Sequence, residues 1–306
     1  AKRVLQADEL AMVASTGDFM GFVGDDSINV TRSGLPITVT IPASRRKSLV
    51  ISEYAWAVAF ALGVAVYQDG GSFELYNNSD ATVYLDGMGI GFAFDLFADG
   101  AIQSTRCSTT EPLRNDPQGL WVQSNQMFPG SGHVYPVLPG GFVTIAQDAI
   151  DHAPFFTGLP DLRNADFELM GPADVDNPSV PNMINRSLDE SLGPHGLPIK
   201  ASGAPFVLFA PIDISALPTM KDPRNERLWT RIPANHVLDV ATKIPPVTTI
   251  LDGSILPWCN PIMAKNFDRE PGRFMYGDES ISFKFSPQRK VIGITSDGRR
   301  ILQDTG

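Results

Sequence analysis

Histidine and cysteine are scarce in this chain, and several chemistries become hard to build without them. The four histidines, His133, His152, His195 and His236, form no HExxH and no other paired ligand spacing. Each is read as a loop or surface residue. Cys107 and Cys259 make no CxxC and have no histidine close by in sequence to complete a zinc set, so no metal centre is expected. At this stage the two cysteines are either buried thiols or one long-range disulfide.

Other signatures are missing as well. There is no Walker loop and no GxSxG elbow, although a hydrolase with a dispersed Ser-His-Asp site remains a third class of reading. Gly87, Gly89 and Gly91 alternate along a strand, whereas a dinucleotide fingerprint joins a strand to a helix; close packing is their expected role. The SxxK match at Ser44–Lys47 sits in a basic loop and opens no helix. Lysine and arginine form no long run, and the net charge of −10 would repel a phosphate backbone, so nucleic acid is excluded as a partner. Only 19% of residues are charged, yet no apolar run reaches the roughly 20 residues of a membrane-spanning helix.

What the chain does have is 43% hydrophobic residues with 27 Gly and 25 Pro, the composition of a folded protein rich in turns. Its 306 residues suit one large domain or two modest ones. Residues 1–47 are read as an N-terminal arm and small β module. Lys2–Ala14 could form a short amphipathic helix, and PITVTIP (Pro36–Pro42) a strand. Ala1 fits removal of a leader peptide or of Met alone.

Residues 48–306 are read as the main unit. SRRK makes a basic turn, after which Leu49–Tyr54 is an apolar strand. The segment Phe73–Gly87, FELYNNSDATVYLDG, alternates on both sides of an Asn-Asn-Ser-Asp turn and is expected to be a β-hairpin. Further strands are expected at Phe142–Ala146, within APFVLFAPIDI, at SISFKFS, and on both sides of the Asp297–Gly298 turn. Asn235–Lys243 after Pro233 is the best helix candidate. Between Tyr54 and Tyr67 lie fourteen residues without a charge, YAWAVAFALGVAVY, as buried strands, a core helix or a surface that meets lipid or an apolar partner.

ISE at Ile51–Glu53, FELYNNSD at Phe73–Asp80 and YLDG at Tyr84–Gly87 resemble the opening of lamin-tail-type domains, an immunoglobulin-like β-sandwich. More closely, the set is similar to a bacterial extracytoplasmic family catalogued as domain of unknown function 4876. There the strand-turn-strand is followed by a PG turn, here Pro139 and Gly140, and by IAQDAI-H, here Ile145–His152. ADFE (Ala165–Glu168), a VDNPSVPN loop (Val175–Asn182), FDR (Phe267–Arg269), and a closing SxQRKV with LQDT (Ser286–Thr305) complete the set.

The resemblance spans residues 48–306. It implies a mainly β, lamin-tail-like sandwich with long Pro/Gly-rich loops and few short helices, located outside the cytoplasm, with no cofactor and no catalytic residue to carry over. Export favours the disulfide reading of Cys107 and Cys259, a cross-link of about 4–5 kcal/mol in the loop-entropy description.

Where the family carries a polar, glycine-containing loop after ISE, this chain has AWAVAFALGVAV. Trp56, Phe60, Leu62, Val64 and Val66 are therefore the expected docking residues for a membrane surface or a membrane protein complex. The expected role is non-catalytic: an extrinsic subunit that is peripheral to the membrane and stabilises its host, for example a photosynthetic reaction-centre/antenna complex or an outer-membrane transporter. The alternative is a secreted or surface binding module for glycan, peptide or calcium, using the loops Glu111–Trp121 and Asp174–Asn182. Calcium would fall to Asp25 and Asp26, Asp148 and Asp151, or Asp174 and Asp176. Glycan stacking would need Trp121 or Trp258 exposed.

Overall fold

In a computed structural model of the protein, the residues described are 19–22, 43–46, 49–55, 59–61, 64–67, 69–94, 113, 116–171, 175–187, 199, 206–223, 226–241 and 288–303. Their regular secondary structure is almost entirely β, joined by long turns and loops. In chain order the strands are β1 (Phe19–Phe22), β2 (Ala43–Arg46), β3 (Leu49–Ala55), β4 (Ala59–Ala61), β5 (Val64–Tyr67), β6 (Ser72–Asn77), β7 (Val83–Tyr84) and β8 (Gly89–Ala93). There follow β9 (Gly119–Met127), β10 (Pro136–Val137), β11 (Phe142–Ala146), β12 (Phe167–Glu168), β13 (Ile184–Asn185) and β14 (Phe206–Phe209). The last five are β15 (Thr219–Lys221), β16 (Leu228–Pro233), β17 (Val237–Ala241), β18 (Val291–Ile294) and β19 (Arg300–Leu302).

Two large sheets form a sandwich. One has the order β12-β11-β6-β3; the other runs β15-β16-β9-β8-β14-β17, with β13 paired to β9. Leu49, Ile51, Phe73, Leu75 and Ile145 from the first sheet meet Ile90, Phe206 and Leu208 from the second in one buried cluster. Phe206 is at its centre, with Phe73 edge-on at 4.5 Å and Tyr54 at 5.2 Å. Burying each such side chain contributes about 1.5–3 kcal/mol, which is why this face holds the sheets together.

The glycine alternation has the role expected of it at Gly89 and Gly91, whereas Gly87 lies in the turn before β8 at a φ of 71°. A Cβ on Gly89 would stand 2.2 Å from Phe209 Cζ and 2.6 Å from Met127 Sδ, and one on Gly91 would stand 2.6 Å from Val122 Cγ1. Without side chains at these positions, the second face of β8 packs directly against Val122, Met127 and Phe209.

The strands at Leu49, Phe142 and Phe206 and around Asp297–Gly298 form as the alternation suggested. Three readings are corrected. Phe73–Gly87 is not a hairpin: β6 pairs with β3 and β11, β7 pairs with β10, and the following β8 belongs to the other sheet. The turn chemistry is real, since Asn77 Oδ1 accepts from Ser79 N at 3.1 Å and Asn77 Nδ2 donates to Ala81 O at 2.7 Å. Both edges of β6 are already taken, so the turn carries the chain out of its sheet.

The expected helix after Pro233 is a single 3-10 turn, Ala234–His236, followed by β17. Val237 and Val240 are buried against the neighbouring strands, and β-branched residues at those positions favour the pleated conformation. The third correction concerns SRR, expected as a basic turn, which lies on β2 and pairs with β1. The expected N-terminal helix, PITVTIP and SISFKFS fall outside the described residues.

Candidate functional site

The uncharged segment from Tyr54 to Tyr67 continues β3 and turns into a ribbon of its own. β4 and β5 pair only with each other among the described residues, in the register Ala59↔Tyr67, Phe60↔Ala65 and Ala61↔Val64. Phe60 is thus on one strand, with Val64 and Val66 on the other, while Trp56 and Leu62 fall outside the described residues. The ribbon forms neither of the large sheets.

Tyr67 ends β5 and fixes the foot of this ribbon. Its hydroxyl bonds to Nδ1 of His152, and its ring stacks on Phe155 at 5.3 Å with an interplanar angle of 21°. His152 lies in a loop, one of the two readings made of it, but is completely buried, which overturns the surface alternative. Its Nε2 lies 2.9 Å from the carbonyl of Asp148, so this nitrogen carries the proton and Nδ1 accepts from Tyr67. Burial pushes the histidine pKa down, opposed by the Asp148 carbonyl and by Asp69, Asp151 and Asp161. Burial and the nearby Asp69 and Asp148 push the Tyr67 hydroxyl up.

From this buried base the chain makes a tight loop. His152 N donates to Pro160 O, Phe155 N to His152 O and Leu159 N to Phe156 O, all at 3.1 Å. Leu159 points inward, whereas Phe155 is 59% and Phe156 37% exposed. Arg163 closes the loop's other side, bonding Asp161 at 2.6 Å and reaching Asp151 at 3.9 Å. Hydrogen bonds from Arg163 hold the Asp161 pKa down to about 2. Sequence reading passed over this loop; the signal available was two adjacent phenylalanines between Pro154 and Gly158, with no apolar strand around them.

Several described residues of the other motifs are internal fasteners, while FDR (Phe267–Arg269) falls outside the described residues. Glu168, fully buried, accepts from Ala149 N at 2.5 Å and Asn177 N at 3.2 Å, while Asn177 Nδ2 returns a bond to Ala149 O at 2.8 Å. IAQDAI-H, ADFE and the VDNPSVPN loop are therefore one hydrogen-bonded unit. The chain's last hairpin is held in the same way. Arg289 bonds Asp239 through two contacts of 2.7 and 2.8 Å, and Asn78 exchanges two 3.0 Å bonds with the backbone of Leu302. Tyr76 O–H donates to Arg300 O at 2.6 Å.

The candidate loops for glycan and calcium look different. Trp121 is buried and donates its Nε1 to Asp116, which is also bonded by Arg231 at 2.5 Å, so stacking of a sugar on Trp121 is ruled out. Trp258 falls outside the described residues, as do Cys107, Cys259, Asp25, Asp26, Asp174 and His195. Asp176 accepts from Asn182 Nδ2 at 2.6 Å. Among the described residues no group of three or more His, Cys, Asp or Glu side chains is placed to hold a metal ion, and no helix is long and apolar enough to cross a membrane.

Neither a family model nor a curated protein matches this sequence. A solved structure does: a DUF4876 family protein from Bacteroides thetaiotaomicron, with a TM-score of 0.60 at 16% identity, covering 94% of this chain and 76% of that one. The chain shares its fold.

Proposed function

We propose that this protein is a non-catalytic, extracytoplasmic docking protein, an extrinsic subunit that attaches to a membrane assembly through its apolar ribbon. One observation carries the reading: β4 and β5, drawn from a fourteen-residue segment without a charge, stand outside both large sheets and join at Tyr67 to an exposed phenylalanine. A segment without a charge, on a ribbon separate from both large sheets, is suited to contact with lipid or an apolar partner. His152 gives the ribbon a fixed base through Tyr67, while Glu168, Asp239 and Asn78 are occupied elsewhere inside the fold. Attachment of this kind needs positioning and apolar area, and no reactive group.

The test is flotation with membranes from the native source. The wild-type protein should rise with the membranes, and F60D/L62D should stay behind with an unchanged melting temperature. Continued attachment of the variant, or its unfolding, would count against the reading.

A further inference from the structure

The large sheet has a break along one edge of β9, and we infer that this break binds a small uncharged molecule bearing hydroxyl groups, of the sugar or polyol class. The site is separate from the ribbon and does not depend on the docking reading. One edge of β9 lies against β8. The other is shared: β16 pairs with Gly119 to Val122 and β13 with Gln126 and Met127, which leaves Gln123, Ser124 and Asn125 between the two strands.

Each of these three has a buried side-chain atom without a hydrogen-bond partner among the described residues: Gln123 Nε2, Ser124 Oγ and Asn125 Oδ1. Two more such atoms border the break. Trp229, whose Nε1 is unpartnered, stands one residue beyond the Thr230↔Val122 pair. Ser187, whose Oγ is unpartnered, follows Arg186, whose N–H donates to Asn125 O at 2.8 Å. Gln123, Ser124, Asn125 and Trp229 are no more than 5% exposed. Buried polar groups are almost always bonded, so five unbonded ones around one break mark a place built to take a partner from outside the chain.

The backbone points the same way. Ser124 holds φ at 55°, a left-handed setting that strains a non-glycine residue and that gathers at ligand clamps and active sites. Opposite it β8 has Gly91, where a Cβ would stand 3.0 Å from Asn125 Oδ1, so glycine keeps that side free of a side chain.

The chemistry of the five groups selects the occupant. They are an indole N–H, two amides and two hydroxyls, none of them ionisable. Trp229 Nε1 and Gln123 Nε2 donate, Asn125 Oδ1 accepts, and the hydroxyls do both. An anion would meet the lone pairs of Oδ1 and a cation would oppose the two N–H groups, whereas a hydroxyl both donates and accepts. Trp229, edge-on to Phe94 at 4.8 Å, adds an apolar wall.

Isothermal titration with glycerol, glucose, galactose and N-acetylglucosamine tests this, with glucuronate and glucosamine as charged counterparts. At least one neutral compound should bind saturably, and its charged counterparts at least about tenfold more weakly. S124G/S187A should lose about tenfold or more in affinity, the worth of two hydrogen bonds. Its melting temperature should stay level or rise, because glycine suits the backbone at position 124 and neither hydroxyl has a partner to lose. Q123M, a second variant, should weaken binding in the same way without loss of stability. Absence of saturable binding by every neutral compound, or ordered water only in crystals soaked in them, would overturn the inference. So would equal binding of the charged compounds, or full affinity in both variants. A lower melting temperature in S124G/S187A would overturn it as well, by showing the hydroxyls to be fasteners of the fold.

Discussion

Replacing Arg289 with methionine should destabilise the fold by about 3–5 kcal/mol, the cost of leaving a buried charge without its partner. Asp239 is fully buried on β17, and the Arg289 side chain is only 7% exposed. The guanidinium bonds both carboxylate oxygens of Asp239 and also donates to Ile51 O at 2.8 Å and Gln303 O at 2.9 Å. Once it is gone, Asp239 still accepts from Ile51 N at 2.7 Å, but a single backbone donor does not replace a counter-charge. Domains of this kind have only about 5–15 kcal/mol in total, so the loss should be visible as a large drop in the urea midpoint with an unchanged slope. Trp121 and Trp229, both buried, supply the fluorescence signal. The double variant D239L/R289L should lose less than R289M alone, because it removes both charges together. A loss below about 1 kcal/mol for R289M, or additivity of the two single leucine variants in the double, would refute the reasoning.

Acid should loosen the foot of the ribbon. Because burial lowers the His152 pKa, the unfolded chain takes up its proton at a higher pH, near 6.5, than the folded chain does. The stability contributed by neutral His152 is complete above about pH 6.5 and is lost as pH falls toward the depressed folded value. H152Q keeps an acceptor for Tyr67 and a donor for Asp148 without titrating, so its urea midpoint should fall less between about pH 7 and pH 5; parallel profiles would refute the assignment. G89A should cost about 1–3 kcal/mol, since the new methyl meets Phe209 Cζ at 2.2 Å, and a thermal melt within about one degree of wild type would contradict that packing.

Much of the strand inventory was legible because alternation is a local property. Leu49 and Ile51 face the inter-sheet core while Val50 packs with Tyr76 and Leu302, so a continuous apolar run reads correctly as a strand buried on both faces. The helix expected at Asn235 failed because Pro233 starts a 3-10 turn as readily as an α-helix, and partners from β14 then claim Val237 and Val240. The burial of His152 was not legible because its side-chain partner Tyr67 is eighty-five positions away. The Phe155–Phe156 loop was overlooked for the opposite reason: its exposure depends on a base built from Asp151, Pro160 and Arg163, which no period in the sequence announces.

The sequence by itself determined the mainly β class, the glycine spacing that lets β8 pack closely, the turn at Asn77–Asp80 and the lack of charge from Tyr54 to Tyr67. Each follows from side-chain size, backbone freedom or polarity at neighbouring positions. Tertiary structure decided which sheet each strand enters, because hydrogen-bond partners are chosen among strands far apart in the chain and β6 had both edges filled. It also decided which motif residues fasten the fold and which face outward. Glu168 and Asp239 are enclosed by groups from distant segments, whereas Phe155 is held out by the same kind of contacts, so burial depends on where the rest of the chain is brought to lie.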